Sequence, residues 1–482
     1  MKIKQMMLKT ASALSAVAVI TAALPAFSSV SVSAAETTPS GYISENIEYM
    51  EKYSDAIDAL YQGLYNHSAN IDISRYRIPL SDIKTVYTIT LDTHPEIFYT
   101  DLAFSYNYNS LGVVYFKPSY AYTAEEVEEM RVDFNQKSDW LLRNVDQSMS
   151  DFEKALILHD ELVLNSSYNS IGDTYEIIVN SRGKCYGYAE AYAFLLAQVG
   201  VKTEIISSDE MVHAWVKVCV DGVYYNVDVT WDDPVRDRPG LVEHQFFLLS
   251  DEKIQNLPRT QDRHYGYTSD FVSDTKYDDM LFHDVTSGFC YVDGKLYGIC
   301  NKDSGAYAHS MISYDYQTDT AQVVKKLNYR WYVLSGGGSY WSKGYSSLDY
   351  YNGLFYFNSP SAIYTYDIRT DTTELYAENT FEYDFYGMRI VDGSVYAAVT
   401  KSPSDESIVE YIGECVRTTE PLALGDVDGN GVINISDATQ IQRFIAEIIK
   451  FDSAQLDAAD FNGDGAITIA DVTAIQVYIA ST

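Results

Sequence analysis

In GKCYGYAEAYAFLLAQVG, Gly183 to Gly200, a cysteine stands between small residues at the head of an amphipathic run. Sulfur attacks as thiolate, so nucleophilic use of Cys185 needs a lowered pKa, a base, and a group that orients the base. The pattern predicts a helix that starts at Cys185, turns Ala189, Tyr192, Leu195 and Leu196 inward and stops at Gly200. A thiol at that end meets the positive pole of the helix dipole, which favours the anion. The other two groups stand in MVHAWVKVCVDGVYYNVDVTWDDP, Met211 to Pro234. His213 opens a strand-like run, Asp221-Gly222 reads as a tight turn, and Tyr224 to Thr230 reads as a return strand carrying Asp228. Pairing of the two strands would bring Asp228 to the imidazole and leave the other ring nitrogen for Cys185.

A different chemistry is written near the end of the chain. DVDGNGVINISD, Asp426 to Asp437, and DFNGDGAITIAD, Asp460 to Asp471, lie 34 residues apart and align position for position. Oxygen side chains at positions 1, 3, 5 and 12, with glycine at position 6, suit a calcium ion that takes six to eight hard oxygen ligands. Asp426, Asp428, Asn430 and Asp437 would hold one ion, and Asp460, Asn462, Asp464 and Asp471 a second. Val432 and Ala466 would each add a backbone carbonyl. A helix follows each loop, and Ile441, Phe444 and Ile445 recur as Ile475, Tyr478 and Ile479.

The elements that must position these groups can be read around them. Apolar spacing predicts a helix over residues 43 to 64, VYTITL reads as a strand, and an acidic helix begins near Ala124. Ser150 and Glu153 form a capping box ahead of Phe152, Leu156, His159 and Leu162. After about residue 275 short tyrosine-rich strands alternate with Asp293-Gly294, Asn352-Gly353 and Asp392-Gly393 turns. SYDYQTDT and TYDIRTDT recur 52 residues apart, with Asp315 and Asp367 in matching places. Three β-units of a degenerate repeat follow from this, similar to partial propeller blades.

Length and charge bound the rest. A chain of 482 residues exceeds one core. Lys2, Lys4 and Lys9, then an apolar run to Phe27, then Val32-Ser33-Ala34-Ala35, have the order of a secretory leader, with the mature chain starting near Glu36. The net charge of −34 disfavours nucleic acid and anionic lipid as partners, and no second membrane segment follows. Five cysteines in so long a chain are no disulfide framework. His159 and His244 read as helix-face and loop residues, Cys219 as strand packing, and Cys290 falls opposite Tyr297 rather than Cys300. Trp215 and Trp231 read as core packing, with the cleft as the other option.

GKCYGYA, VHAWVKV and YYNVDVTWDDP resemble the three motifs of the transglutaminase-like superfamily, over roughly residues 150 to 250. HPEIFYT, EKALILHDELV and FFLLSDEKI resemble segments that accompany this domain in bacterial secreted proteins. The resemblance implies a papain-like α+β core with Cys185 as nucleophile, His213 as base and Asp228 as orienting carboxylate, and no cofactor for catalysis. The expected oxyanion donor is the Cys185 N–H, with Tyr175 and Tyr188 as side-chain candidates. The calcium repeat resembles a type I dockerin, since aspartate replaces the glutamate of an EF-hand and no helix precedes the first loop. This implies two calcium ions and a cohesin module on a scaffold protein as partner. The contact positions would be Ile435-Ser436 and Ile469-Ala470, which differ from the Ser-Thr pair of the best-known group.

The expected organisation is multidomain. It comprises a signal peptide (1–35), a helical or mixed lead-in (36–150), a transglutaminase-like catalytic domain (151–275), a mainly β region that could be propeller-like (276–420), and a small all-α dockerin (424–482). The expected function is a secreted, extracellular peptidase or amidase acting on protein or glycopeptide within a cellulosome-type complex. Plant cell-wall polysaccharide is a further candidate partner, and no membrane insertion is expected after leader cleavage. The alternatives are a cross-linking transglutaminase and a non-catalytic binding protein with a carbohydrate-contacting β-region.

Overall fold

The computed structural model describes residues 28–32, 42–146, 148–208, 210–257, 266, 267, 269, 271–333, 338–416, 422–429, 431–446, 449, 451 and 453–481. Most of the expected leader, its expected cleavage point, Asn430 and the expected linker at Pro421 lie outside them. Two compact units result, one formed by residues 1–132, 207–212 and 266–270, the other by 133–206, 213–265 and 271–482.

In the first unit the predicted helix is present as Tyr42–Tyr65. VYTITL is not a strand: it lies in a second helix, Ile83–Thr93. Its β-branched residues fit there because Ile83, Val86, Tyr87, Ile89 and Thr90 are buried at helical spacing, and packing overrides β-propensity. Strands Thr100–Asn109 and Gly112–Tyr120 form a hairpin in an antiparallel sheet with Ile71–Asp72. Ser28–Val32, inside the expected leader, pairs along its other edge. The acidic helix is Ala124–Leu142.

The second unit carries both candidate sites. Helix Asp151–Leu164 starts on the predicted capping box: Ser150 Oγ accepts from the Glu153 N–H, and Glu153 Oε2 accepts from the Ser150 N–H. Helix Cys185–Gln198 packs on it, and strands His213–Val220 and Val223–Val227 form a hairpin. The return strand is shorter than expected and ends at Val227, because Asp228 caps the short helix Val229–Asp232.

Three antiparallel meanders follow: four strands over residues 290–326, four over 348–378 and three over 385–414. The Asp-Gly and Asn-Gly turns at 221, 293, 352 and 392 all take positive φ at both central residues, the geometry that matches strand twist. The 52-residue repeat is a loop motif joining the third and fourth strands of the first two sheets. Tyr314 donates to Asp319 Oδ1 and Tyr366 to Asp371 Oδ1, at 3.0 and 3.1 Å. A register shift recurs at the same offset, at Met311 and Ile363. Consecutive sheets pack through Tyr297, Phe355 and Phe357, then through Tyr356, Phe385 and Met388. The sheets are open and no closed propeller forms among the described residues. Cys290 pairs with Tyr297 as expected, and all five cysteines are free thiols.

The C-terminal module holds helices Ile435–Ile445, Ser453–Ala459 and Ile469–Ser481 around Val427, Ile441, Val472 and Ile475. The duplication reaches the core at Ile441 and Ile475, whereas Ile445 and Tyr478 stay exposed. Among the described residues no helix is long and apolar enough to cross a membrane.

Candidate active site

Cys185 is the first residue of its helix, with Lys184 at the N-cap in an extended conformation. The glycines that flank it are there for space. A Cβ on Gly183 would lie 2.7 Å from Ile177 Cγ1, and one on Gly187 would lie 2.9 Å from the Asp173 carbonyl oxygen. Backbone cannot yield as a flexible side chain can, so Gly187→Ala should displace the first turn and lower stability by roughly 1–3 kcal/mol. A thermal melt checks this, and an unchanged melting temperature would contradict it.

His213 and Asp228 meet as the hairpin predicts. His213 Nε2 is 2.7 Å from Asp228 Oδ2, with the carboxylate fully buried. Asp228 Oδ1 accepts from the Trp231 N–H at 3.2 Å, so the short helix fixes the carboxylate in turn. Nε2 is thus occupied and Nδ1 remains for the sulfur. The ring is packed between Trp215, at 5.9 Å, and Trp231, at 6.0 Å. Trp215 is core, held by a 2.9 Å bond from its Nε1 to Asn226 Oδ1, whereas Trp231 is partly exposed beside the imidazole.

Burial alone would push the Cys185 thiol up, but the hydrogen bond and positive charge of His213 outweigh it and hold the thiol below its ordinary value. Burial likewise opposes charge on His213, and the Asp228 carboxylate reverses this, lifting the imidazole to about 9. Each group therefore stabilises the charged form of the other.

Of the two tyrosine candidates for an oxyanion donor, Tyr188 has its hydroxyl engaged elsewhere. Tyr188 is buried and donates to Asp233, and Tyr175 stacks on Phe134. Asp233 is itself pushed up to about 8 by burial. Tyr168, absent from the sequence reading, is half exposed on a short strand paired with Arg182–Gly183. Burial and then the charge of Cys185 raise its phenol pKa.

His159 lies on a helix face and His244 in a loop, as the sequence suggests, and neither reaches solvent. Both are fully buried, because the helix face that carries His159 is covered by the His213–Val227 hairpin and by the start of the β-region at Phe289. His159 Nδ1 is 2.8 Å from Asp160 Oδ1 and its Nε2 is 3.2 Å from Asp232 Oδ2. His244 Nδ1 donates to the Val285 carbonyl, and its Nε2 lies 2.9 Å from Asp160 Oδ1. Asp232 accepts from the Phe246 N–H, while the Phe246 carbonyl accepts from the Asp228 N–H at 2.9 Å. Phe246 therefore joins this network to the backbone of Asp228, as does the Asp232 N–H, which donates to the Asp228 carbonyl at 3.2 Å. The pair His159-Asp160 inside the apolar run LILHDELVL was the available signal.

In the C-terminal loops Asp426, Asp428 and Asp437 bring carboxylate oxygens within 4.8 Å of one another, all buried. Burial, then the charges of Asp428 and Asp426, push Asp437 upward, a repulsion that a cation relieves. These residues fit calcium. The second loop repeats the frame: Gly431 N–H donates to Asp426 Oδ2 and Gly465 N–H to Asp460 Oδ2, both at 2.9 Å. Asp471 Oδ1 and Oδ2 accept from Asn462 and Thr468 as Asp437 does from Asp428 and Asn434. Bound calcium would rigidify each loop through its oxygen donors, Asp464 and the carbonyls of Val432 and Ala466 included.

Residues 140–229 match the family model for the transglutaminase-like superfamily, and residues 424–480 that for the dockerin type I domain. The chain thus carries both domains. No curated protein matches. Among solved structures, one described as a crystal structure of a TGase is 11% identical over 25% of this chain and 41% of its own, with a TM-score of 0.19. A computationally designed protein, Ika8, is 10% identical over 42% of each chain, with a TM-score of 0.17. The alignment spans about two fifths of either protein's length.

Proposed function

We propose that the transglutaminase-like domain is a working cysteine acyl-transfer enzyme, a secreted peptidase or amidase acting on protein or glycopeptide and carried to a polysaccharide-degrading complex by its dockerin. The domain partition is that of the sequence reading, with residues 151–275 as catalytic domain and 276–420 as an accompanying β-region. The observation that carries the proposal is the arrangement of His213, held by Asp228 at 2.7 Å and turned to a thiol whose pKa it lowers.

The chemistry follows from that arrangement. The Cys185 thiolate attacks an amide carbonyl carbon, and the charge that develops on oxygen is met by the N–H groups at the helix start. His213 gives its Nδ1 proton to the departing amine, leaving a thioester. An incoming water then loses a proton to His213 and attacks the thioester carbonyl, releasing acid and restoring the thiolate–imidazolium pair. An amine in place of water would give a cross-link by the same steps.

Alkylation by iodoacetamide as a function of pH, read for each cysteine by peptide mass spectrometry, tests the proposal without a substrate. The molecule supplies its own controls. Burial pushes Cys300 up to about 12 and raises Cys219, Cys290 and Cys415 as well. Cys185 should react near neutral pH while the other four stay inert. Reaction of Cys185 no faster than Cys219 at pH 7 would reject the catalytic reading.

A further inference from the structure

The two calcium loops are alike in sequence and unlike in setting. Compared at the 34-residue offset, Asp428 is buried where Asn462 is exposed, Gly429 where Gly463 is exposed, and Asn434 where Thr468 is exposed. Ser436 and Thr439 are half-buried, and their counterparts Ala470 and Thr473 are exposed. The difference is not internal to the module, since Gly429 and Gly463 share φ values of +73° and +72°. It comes from what covers the first loop. A Cβ on Gly429 would lie 2.7 Å from Asn352 Oδ1, at the Asn352-Gly353 turn of the β-region, whereas one on Gly463 would meet nothing within 4 Å. Asn434 Nδ2 donates to the Arg143 carbonyl at 2.8 Å, a bond that Thr468 has no counterpart for in length or chemistry.

The seat is built rather than incidental. Arg143 is fixed by two bonds to the buried Glu161, at 3.1 and 3.2 Å, and Arg389 adds a third at 3.2 Å. Val432 and Asn434 close one side of a cavity of about 70 Å³ whose other walls include Asn144, Asp349 and Arg389. The wall behind the loop is a polar network, in which Arg143 and Arg389 are both held by Glu161, with Asp160 and Asp349 alongside.

We propose that the first calcium loop is an internal clamp that seats the dockerin on the catalytic body, and that only the second half is left to meet the scaffold partner. This rests on the dockerin reading for the partner, but not for the clamp. The outward face, Ile469, Ala470, Thr473, Val477 and Tyr478, carries no charge, and Ile469 and Val477 are 62% and 63% exposed. Its occupant is therefore an uncharged, apolar surface of a cohesin-type module. The corresponding first-half residue to Val477 is Arg443, so the two halves also differ in chemistry.

Hydrogen exchange on the full-length, calcium-loaded protein tests the clamp. In the wild type the amides of 427–434 should exchange roughly 10-fold or more slowly than those of 461–468. Asn434→Thr, which imports the second loop's own residue, combined with Asn352→Gly, which suits a positive φ, should erase the difference while leaving the second loop unchanged. Equal exchange in the wild type, or a difference that survives both substitutions, overturns the clamp. In a second arm, binding to a panel of immobilised type I cohesin modules is measured for Val477→Asp and Arg443→Asp. Val477→Asp should weaken binding by about 100-fold and Arg443→Asp by less than about threefold. Equal losses, or a larger loss at Arg443, refute the one-sided partner face. If no cohesin binds while the exchange asymmetry stands, the scaffold reading fails and the clamp does not.

Discussion

Replacing His213 by alanine should slow the alkylation of Cys185 at pH 7 by roughly 100-fold. Two opposed effects act on the thiol: burial raises its pKa, and the hydrogen bond and charge of His213 lower it. Removing His213 leaves burial unopposed, and a thiol titrating at or above its free value of about 8.5 is at most a few per cent thiolate at neutral pH. Cys185→Ser should lose acyl transfer almost wholly, because the step depends on a pre-formed thiolate and a serine hydroxyl, with its far higher pKa, gives no such anion here. Asp228→Asn asks a subtler question. The amide keeps the shape but can donate a proton to Nε2, so the imidazole is then held with its proton on Nδ1, facing the sulfur. In a triad of this logic that exchange costs on the order of 10⁴ in turnover. A panel of peptide amides and thioesters, read for both hydrolysis and amine incorporation, measures it. If Asp228→Asn and wild type turn over alike, Asp228 is a helix cap and nothing more.

The legible parts of this chain were those fixed by local rules. Each Asp-Gly or Asn-Gly pair takes the turn that the dipeptide demands, since positive φ at two successive residues is a property of the turn itself. Cys185 heads its helix and Ser150 caps the one before it for equally local reasons. VYTITL was misread because its β-branched residues are locally ambiguous and only the partner helix Tyr42–Tyr65 decides their spacing. Asp228 was placed correctly against His213 but as a strand residue, whereas it is a helix cap whose second oxygen is taken by Trp231. Beyond the adjacent pair His159-Asp160, the buried network was illegible because Asp232 and His244 join it only by tertiary contact. The unequal setting of the two calcium loops is invisible for the same reason: nothing in one repeat announces what the rest of the chain will lay against it.

Asp160→Asn should be the most damaging substitution outside the triad. Asp160 Oδ1 is shared by His159 Nδ1 and His244 Nε2 at 2.8 and 2.9 Å, and Oδ2 accepts from the Phe289 N–H at 2.6 Å. An asparagine must turn its NH₂ toward one of these donors, leaving buried groups unsatisfied and His159 short of a carboxylate. Breaking a buried charged pair from one side costs about 3–5 kcal/mol, which in a unit of this size lowers the melting temperature by on the order of 10 °C. The loss should reach the active site, because the network holds Phe246 and Phe246 holds Asp228. Cys185 alkylation measured well below the melting temperature should therefore slow as well, which a distant packing defect would not produce. The pH dependence carries the same signature. Burial opposes charge on His159, but Asp160 and Asp232 lift its pKa to about 9. Its stabilisation is fully present below the unfolded value of about 6.5 and is lost as pH rises through about 9. The melting temperature of the wild type should fall across that window, and the fall should be shallower in His159→Gln, where the raised imidazole of His213 still remains. A flat wild-type profile, or Asp160→Asn within about 1 kcal/mol of wild type, would mean that the network is solvated packing rather than the strut behind the catalytic carboxylate.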